Sequence, residues 1–395
     1  MNKQLIPCLA GAFLVALCIV SCKKDPIPED PGTPLKPANS FIISSPGTYS
    51  FMPVKGNSTE SVGAVAKVEV LWETFGTDEQ PKVGDVVAGT KYIADKDIIS
   101  FTMPKTLHNG NALIAAKDAS GNILWSWHVW VCNGWDPDKT AHSYYNNPGV
   151  AVMDRNLGAT TATPNEVTSF GLHYQWGRKD PFLGANRMEA NVFDEDATAS
   201  STLQWPRCLD ADAEIGTIEF AVAHPTTFIV STPILEYNTG DWYYTEDGTT
   251  DNTRWQEEKT IYDPCPAGWQ VPTGGPQGLW TKACGGKDFF SVDRAETDYG
   301  ANLTLKFGDA DLIWYPFAGS VDGAYEEFYR HRSVGSTCTV WTVTPEPLPV
   351  EFDPQSATTI VSPYFNHKEN GVTVYPNANN FRYFGQSVRC VKYGN

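Results

Sequence analysis

The chain of 395 residues carries 29 Lys and Arg against 46 Asp and Glu, a formal charge of −17. So acidic a chain has no basic face to neutralise phosphates, which excludes nucleic acid as a partner. Aromatics at 12%, charged residues at only 19%, 33 Gly and 28 Pro describe a turn-rich, β-dominated, extracytoplasmic protein.

In chain order, "MNKQLIPCLAGAFLVALCIVSCKKD" comes first. Lys3 precedes an apolar run from Leu5 to Val20 that is short for a spanning helix and fits a secretory signal over residues 1–21. Its end, Ile19-Val20-Ser21-Cys22, resembles a bacterial lipobox, after which the signal is removed and Cys22 is lipidated. Several acyl chains on one Cys give lasting attachment, each buried methylene contributing roughly 0.8 kcal/mol. The expected location is the cell envelope, as an outer-membrane lipoprotein displayed at the surface. Residues 22–39, "CKKDPIPEDPGTPLKPAN", are rich in Pro and charge and are expected to form a disordered tether.

Residues 40–133 read as an all-β sandwich of the Ig-like kind. "AVAKVEVLWETF" (64–75) alternates, "IISFTMP" (98–104) is short and apolar, and "NALIAAKDASGNILWSWHVWVC" (111–132) is two strands about a turn at Ser120-Gly121-Asn122. Trp125, Trp127, Val129 and Val131 share one face of the last strand, and its other face is also largely apolar. That strand is therefore central, or packed on a second domain, and Trp125, Trp127 and Trp130 read as core in preference to a sugar platform. "NGWDPDKT" (133–140) is the joint.

Residues 134–395 contain short periodic segments and a single hint of helix, in "TGGPQGLWTKACG" (273–285). They read as one loop-rich α+β domain. Six ordered blocks stand out: "AVMDRNLGA" (151–159), "GLHYQWGRKDPF" (171–182), "YDPCPAGWQVPT" (262–273), "YPFAGS" (315–320), "VWTVTP" (340–345) and "GQSVRCVKY" (385–393). Together they closely resemble the FISUMP family, the Fibrobacter-type major paralogous domain of surface lipoproteins from Bacteroidetes-like bacteria. The blocks are more distantly similar to the sulfatase-modifying family, whose fold is a variant of the C-type lectin-like domain. That resemblance implies a loop-dominated fold with its two ends close together, and no chemistry, since the oxidase's reactive cysteine block has no counterpart.

The residues of the blocks suit a framework. Asp154 with Arg155, and Arg178 with Asp180, offer charge-assisted bonds to tie loops. Tyr174, Trp176, Trp269 and Trp341 bring large area and a polar atom that can be satisfied locally. Gly158, Gly171 and Gly177 suit tight turns. Because Cys265 and Cys390 fall in two of the matching blocks, the resemblance implies a disulfide between them. Of nine cysteines, Cys8 and Cys18 belong to the signal and Cys22 to the lipid. Cys132, Cys208, Cys284 and Cys338 then remain, with disulfides the default for an exported chain and three connectivities open.

Catalytic signatures are missing. There is no G-x-S-x-G, no H-E-x-x-H, and "CGGKD" (284–288) lacks the spacing of a phosphate loop. His173 and His331 read as structural. The acidic runs "FDEDA" (193–197), "LDADAE" (209–214) and "GDADL" (308–312) lack EF-hand order; no metal or cofactor is assigned beyond a structural calcium. The candidate ligand surface lies in an insertion at about 183–260, where Trp242, Tyr243, Tyr244 and Trp255 stand among Asp, Asn and Thr. They suit stacking on a glycan or contact with a protein ligand, or else they cover the domain's own core. The expected function is non-enzymatic: adhesion, fimbria-like assembly or glycan binding at the cell surface. The alternative is an enzyme of the sulfatase-modifying-like fold with an unrecognised site.

Overall fold

The computed structural model describes residues 30–144, 146–188, 200–201, 207–231, 240–246, 249–292, 299–303, 313–322, 330–347, 358–368 and 371–394. The expected signal, Cys22, most of the tether and the acidic runs at 193–197 and 308–312 lie outside these residues. Among the described residues strand dominates, 37% against 6% helix, and no helix is long and apolar enough to cross a membrane. The chain is thus β-rich rather than an even mixture. Of the expected helix at 273–285, one turn forms, Leu279–Ala283.

Eight strands build the N-terminal part: β1 (Thr33–Pro34), β2 (Ser40–Ile43), β3 (Thr48–Phe51), β4 (Lys67–Thr74), β5 (Gly89–Ile93), β6 (Ile98–Thr102), β7 (Gly110–Lys117) and β8 (Ile123–Val131). They form two four-stranded sheets ordered β1-β3-β6-β5 and β2-β8-β7-β4. Between the sheets lie Phe41, Phe51, Ile99, Phe101, Ile114, Trp125, Trp127 and Val129, as period-2 alternation requires. The β7–β8 turn is closed by the Asp118 carboxylate, which accepts from the Ser120 and Asn122 amides at 2.9 Å each. Gly121 takes a positive φ of 91° there, a conformation that Gly adopts without strain.

Strand β8 is both central and two-sided. Its second face carries Trp130 into another core, with Leu113, Trp72, Tyr174, Trp176, Trp255 and Trp341. The joint at 133–140 is therefore a boundary in sequence and not in packing, and residues 31–395 form one compact unit. The tether also ends earlier than expected. β1 pairs with β3, the Leu35 amide donates to Ser50, and Ala38 is buried. Residues 31–39 have backbone partners and an apolar anchor that their Pro-rich composition concealed.

The C-terminal half is a set of small sheets. Asn147–Val152, near its start, pairs with Val391–Tyr393 at its end. His173–Gln175 pairs with Gly385–Ser387, which continues to Ser320–Asp322 and Arg330–Arg332. Arg207–Asp210 and Thr227–Val230 run parallel, and the helix Ile218–Ala223 lies between them in sequence. The longest elements are Thr358–Lys368 and Gly371–Phe381, the centre of a five-stranded sheet.

Candidate functional site

Every described side chain of the "GLHYQWGRKDPF" block that could do chemistry is inside. His173, Tyr174, Gln175, Trp176, Arg178, Lys179 and Asp180 are all buried. The indoles hold loops by donating to carbonyls: Trp341 to Tyr174 (2.6 Å), Trp176 to Thr342 (3.0 Å), Trp242 to Trp176 (2.7 Å) and Trp255 to Tyr262 (2.8 Å). Each ring thus contributes apolar area while its one polar atom fixes a neighbouring loop. Gly177, at φ 81°, lets the chain turn where a Cβ would meet the Arg254 side chain at 2.8 Å.

The expected pairing of Arg178 with Asp180 is corrected. Arg178 donates to the carbonyls of Thr227 (2.8 Å), Ala221 (3.3 Å) and His224 (3.3 Å) and to Gln175 Oε1 (2.9 Å). It caps the C-terminus of the 218–223 helix, where orphan carbonyls collect partial negative charge. Asp180 instead accepts from Lys179 (2.6 Å) and Ser126 (2.6 Å), and Lys179 lies over the Trp125 ring. Lys179 and Asp180 thus both reach Ser126 on β8, while Arg178 reaches the end of the 218–223 helix. Burial lowers the Arg178 pKa to about 10, which leaves it charged at neutral pH. Asp154 and Arg155 do pair, at 2.9 and 3.0 Å, while Arg155 also holds the Thr160 carbonyl and stacks on Trp135.

The candidate ligand surface is also corrected. Trp242 is 1% exposed and Trp255 0%, so neither ring can meet a sugar. Both belong to the core because the segment around 240–255 supplies the counter-charge for a cation cluster. Arg254 bonds Asp241 through both terminal nitrogens, one at 3.1 Å. Arg382 approaches the same carboxylate at 3.5 Å. The two guanidiniums lie 4.9 and 4.3 Å from the Trp176 ring. Tyr243 is half-buried, and Tyr244, at 40% exposure, is the only one of the four at the surface. Sequence reasoning missed Asp241, Arg254 and Arg382; the only signal was an ionisable residue beside each tryptophan, in "GDW" and "TRW".

Cys265 and Cys390 are disulfide-bonded, with Cα atoms 5.9 Å apart. Around the bridge, Gln270 and Val391 exchange backbone bonds at 2.9 and 2.8 Å. Half-buried Lys259 ties Asp263, Cys265 and Trp269 (2.7, 2.8 and 2.7 Å), and Trp269 lies beside Lys392. Cys132, Cys208, Cys284 and Cys338 are free and buried, which corrects the expectation of further bridges. Burial pushes each thiol up to about 12, leaving almost no thiolate for nucleophilic chemistry.

Two buried imidazoles are neutral. His128 sits between Ser40 (3.1 Å) and Asn111 (2.8 Å), and desolvation lowers it to about 3. His173, also lowered to about 3 by burial, has its ring centre 5.8 Å from that of His331. Among the described residues no three of His, Cys, Asp and Glu converge to hold a metal; Asp212 closes its own turn by accepting from Glu214 and Ile215.

An open cleft of about 530 Å³ lies at the joint, lined by Ile42, Lys36, Trp135, Asp136, Lys139 and Trp269 among others. β2, the outer strand of its sheet, forms one wall. The two tryptophans are nearly covered, and Lys139 pairs with Asp136 at 3.1 Å. The cleft offers a strand edge and a polar rim rather than an acid–base pair. Compared with protein-family models, with curated proteins and with solved structures, the chain matches none.

Proposed function

We propose that the chain is a lipid-anchored, FISUMP-type surface protein that binds a glycan or protein partner and catalyses nothing. Its C-terminal half would be a lectin-like framework held off the membrane by Cys22 and a short tether. One observation carries this reading: among the described residues, the charged groups of the "GLHYQWGRKDPF" block, Arg178, Lys179 and Asp180, and the four free thiols are buried, and Lys259 is 13% exposed. The charged ones among them are spent on loop carbonyls and on one another. A catalytic constellation needs reach to a substrate, whereas a binding module needs only a rigid scaffold and a surface. Two measurements test it together. Protease treatment of intact cells should remove the protein, and the purified chain should be retained saturably by members of a glycan panel or by a surface protein. Protection from protease in intact cells would sink the proposal.

A second reading, assembly into a polymer, is favoured by the cleft. The outer edge of β2 opens there, and an added strand from a neighbouring subunit would find backbone partners along it. Gentle extraction should then release the protein in long complexes, and monomers alone would count against assembly.

A further inference from the structure

The face of the five-stranded sheet turned away from the core is accessible in part, although Thr373 and Thr339 on it are buried. In its middle, Phe365, Val374 and Cys338 sit side by side and are fully buried in the core. One residue along each strand, the side chains turn outward. Tyr364 is directly opposite Tyr375 on the neighbouring strand, and their rings are stacked at 6.2 Å and 25°. On the far side of Tyr375, Phe289 continues the row, its ring 6.3 Å away and tilted by 40°. The three rings make a continuous strip across the sheet. Phe289 is 61% exposed, and both tyrosines are partly exposed.

The strip differs from a stray apolar patch in two ways. Its neighbours on the same face are hydroxyls and an amide: Ser291, Asn366 and Thr337 reach the surface in the adjacent row, with the buried Thr373 between Ser291 and Asn366, in register across four strands. None of these side chains carries a charge, on a chain whose net charge is −17. Among the described residues the Tyr364 and Tyr375 hydroxyls make no hydrogen bond and are free to donate or accept. A strip of ring faces bordered by neutral hydrogen-bonding groups matches a chain of pyranose rings. Such a chain presents C–H faces to the aromatics and hydroxyls to the rim. An anionic polymer would find no cation in these two rows, and repulsion from the chain as a whole.

We infer that Phe289, Tyr375 and Tyr364 form a binding platform for a neutral polysaccharide. The inference rests on the binding reading above and names its ligand class and its site.

The test uses the full chain in detergent and measures retention on insoluble neutral glucans and xylan beside an acidic polysaccharide. Wild type should be retained by at least one neutral polymer and not by the acidic one. Phe289→Ala, which alters only an exposed ring, should weaken retention about tenfold, and Tyr375→Ala at least as much. Tyr244→Ala, an exposed aromatic elsewhere, should leave it unchanged. If wild type binds a neutral polymer and Phe289→Ala and Tyr375→Ala bind equally well, the platform is wrong and the binding reading survives. Preference for the acidic polymer, or binding only to a protein, also overturns the platform. If the wild type binds no glycan and no protein, the broader reading falls with it.

Discussion

Replacing Asp241 by Asn removes one negative charge while keeping its shape, at a place where two cations depend on it. Asp241, Arg254 and Arg382 are all essentially inaccessible to water. The carboxylate bonds both terminal nitrogens of Arg254 and faces Arg382 at 3.5 Å. Deleting one partner of a buried ion pair costs about 3–5 kcal/mol, because the remaining charge stays desolvated. Here the carbonyls of Asp251 and Trp176, and Asn252, still receive hydrogen bonds from the guanidiniums, and both still lie near the Trp176 ring. We therefore expect a loss of about 4 kcal/mol for Asp241→Asn. Asp154→Asn, at a pair nearer the surface, should cost only about 1 kcal/mol. Urea unfolding followed by tryptophan fluorescence measures both, since Trp176, Trp242 and Trp255 report on this cluster. A loss below about 1 kcal/mol for Asp241→Asn, or one no greater than that for Asp154→Asn, would refute the argument that this carboxylate holds the loops together.

Three further outcomes follow from the same structure. Replacing Cys265 and Cys390 by Ser together should cost about 5 kcal/mol on the chain-entropy model, since the bridge spans 125 residues; an unchanged urea midpoint would contradict it. The four buried thiols should resist alkylation in the native protein and all react after denaturation, so that native labelling of any one would show it exposed. His128 and His173 are held near pKa 3 when folded and titrate near 6.5 when unfolded. The unfolded state therefore takes up protons that the folded state refuses. Their stabilisation is complete above about pH 6.5 and falls as pH drops toward 3, by about 2 kcal/mol each at pH 5. His128→Gln should flatten that slope, and an equally steep profile in the variant would exclude His128 as its source.

The β-strands of the N-terminal half were legible because they obey a period of two. The runs at 98–104 and 111–132 became β6, β7 and β8, and the apolar second face of β8 announced a partner behind it. The Cys265–Cys390 bridge was legible through the resemblance of two blocks, and no rule of spacing would have found it. Long-range charge partners were not legible. Asp241, Arg254 and Arg382 are separated in sequence by up to 141 residues and meet beside the Trp176 ring. Trp242 and Trp255 fit either a ligand surface or the core because their neighbours are polar, yet those neighbours, Asp241 and Arg254, are buried with them. The strip of Phe289, Tyr375 and Tyr364 depends on cross-strand register, which sequence alone does not supply. Residues 31–39 were misread because Pro and Lys there mask two anchors, Leu35 and Ala38.

The proposal that the protein binds without reacting is tested most directly by prolonged incubation with whichever panel member it retains, followed by mass analysis of the ligand and a second round of binding. The account predicts a ligand recovered at unchanged mass, with undiminished capacity on the second round and no effect of a thiol-blocking reagent. A shortened or modified ligand that accumulates with time would contradict it and return one of the buried groups to a catalytic role.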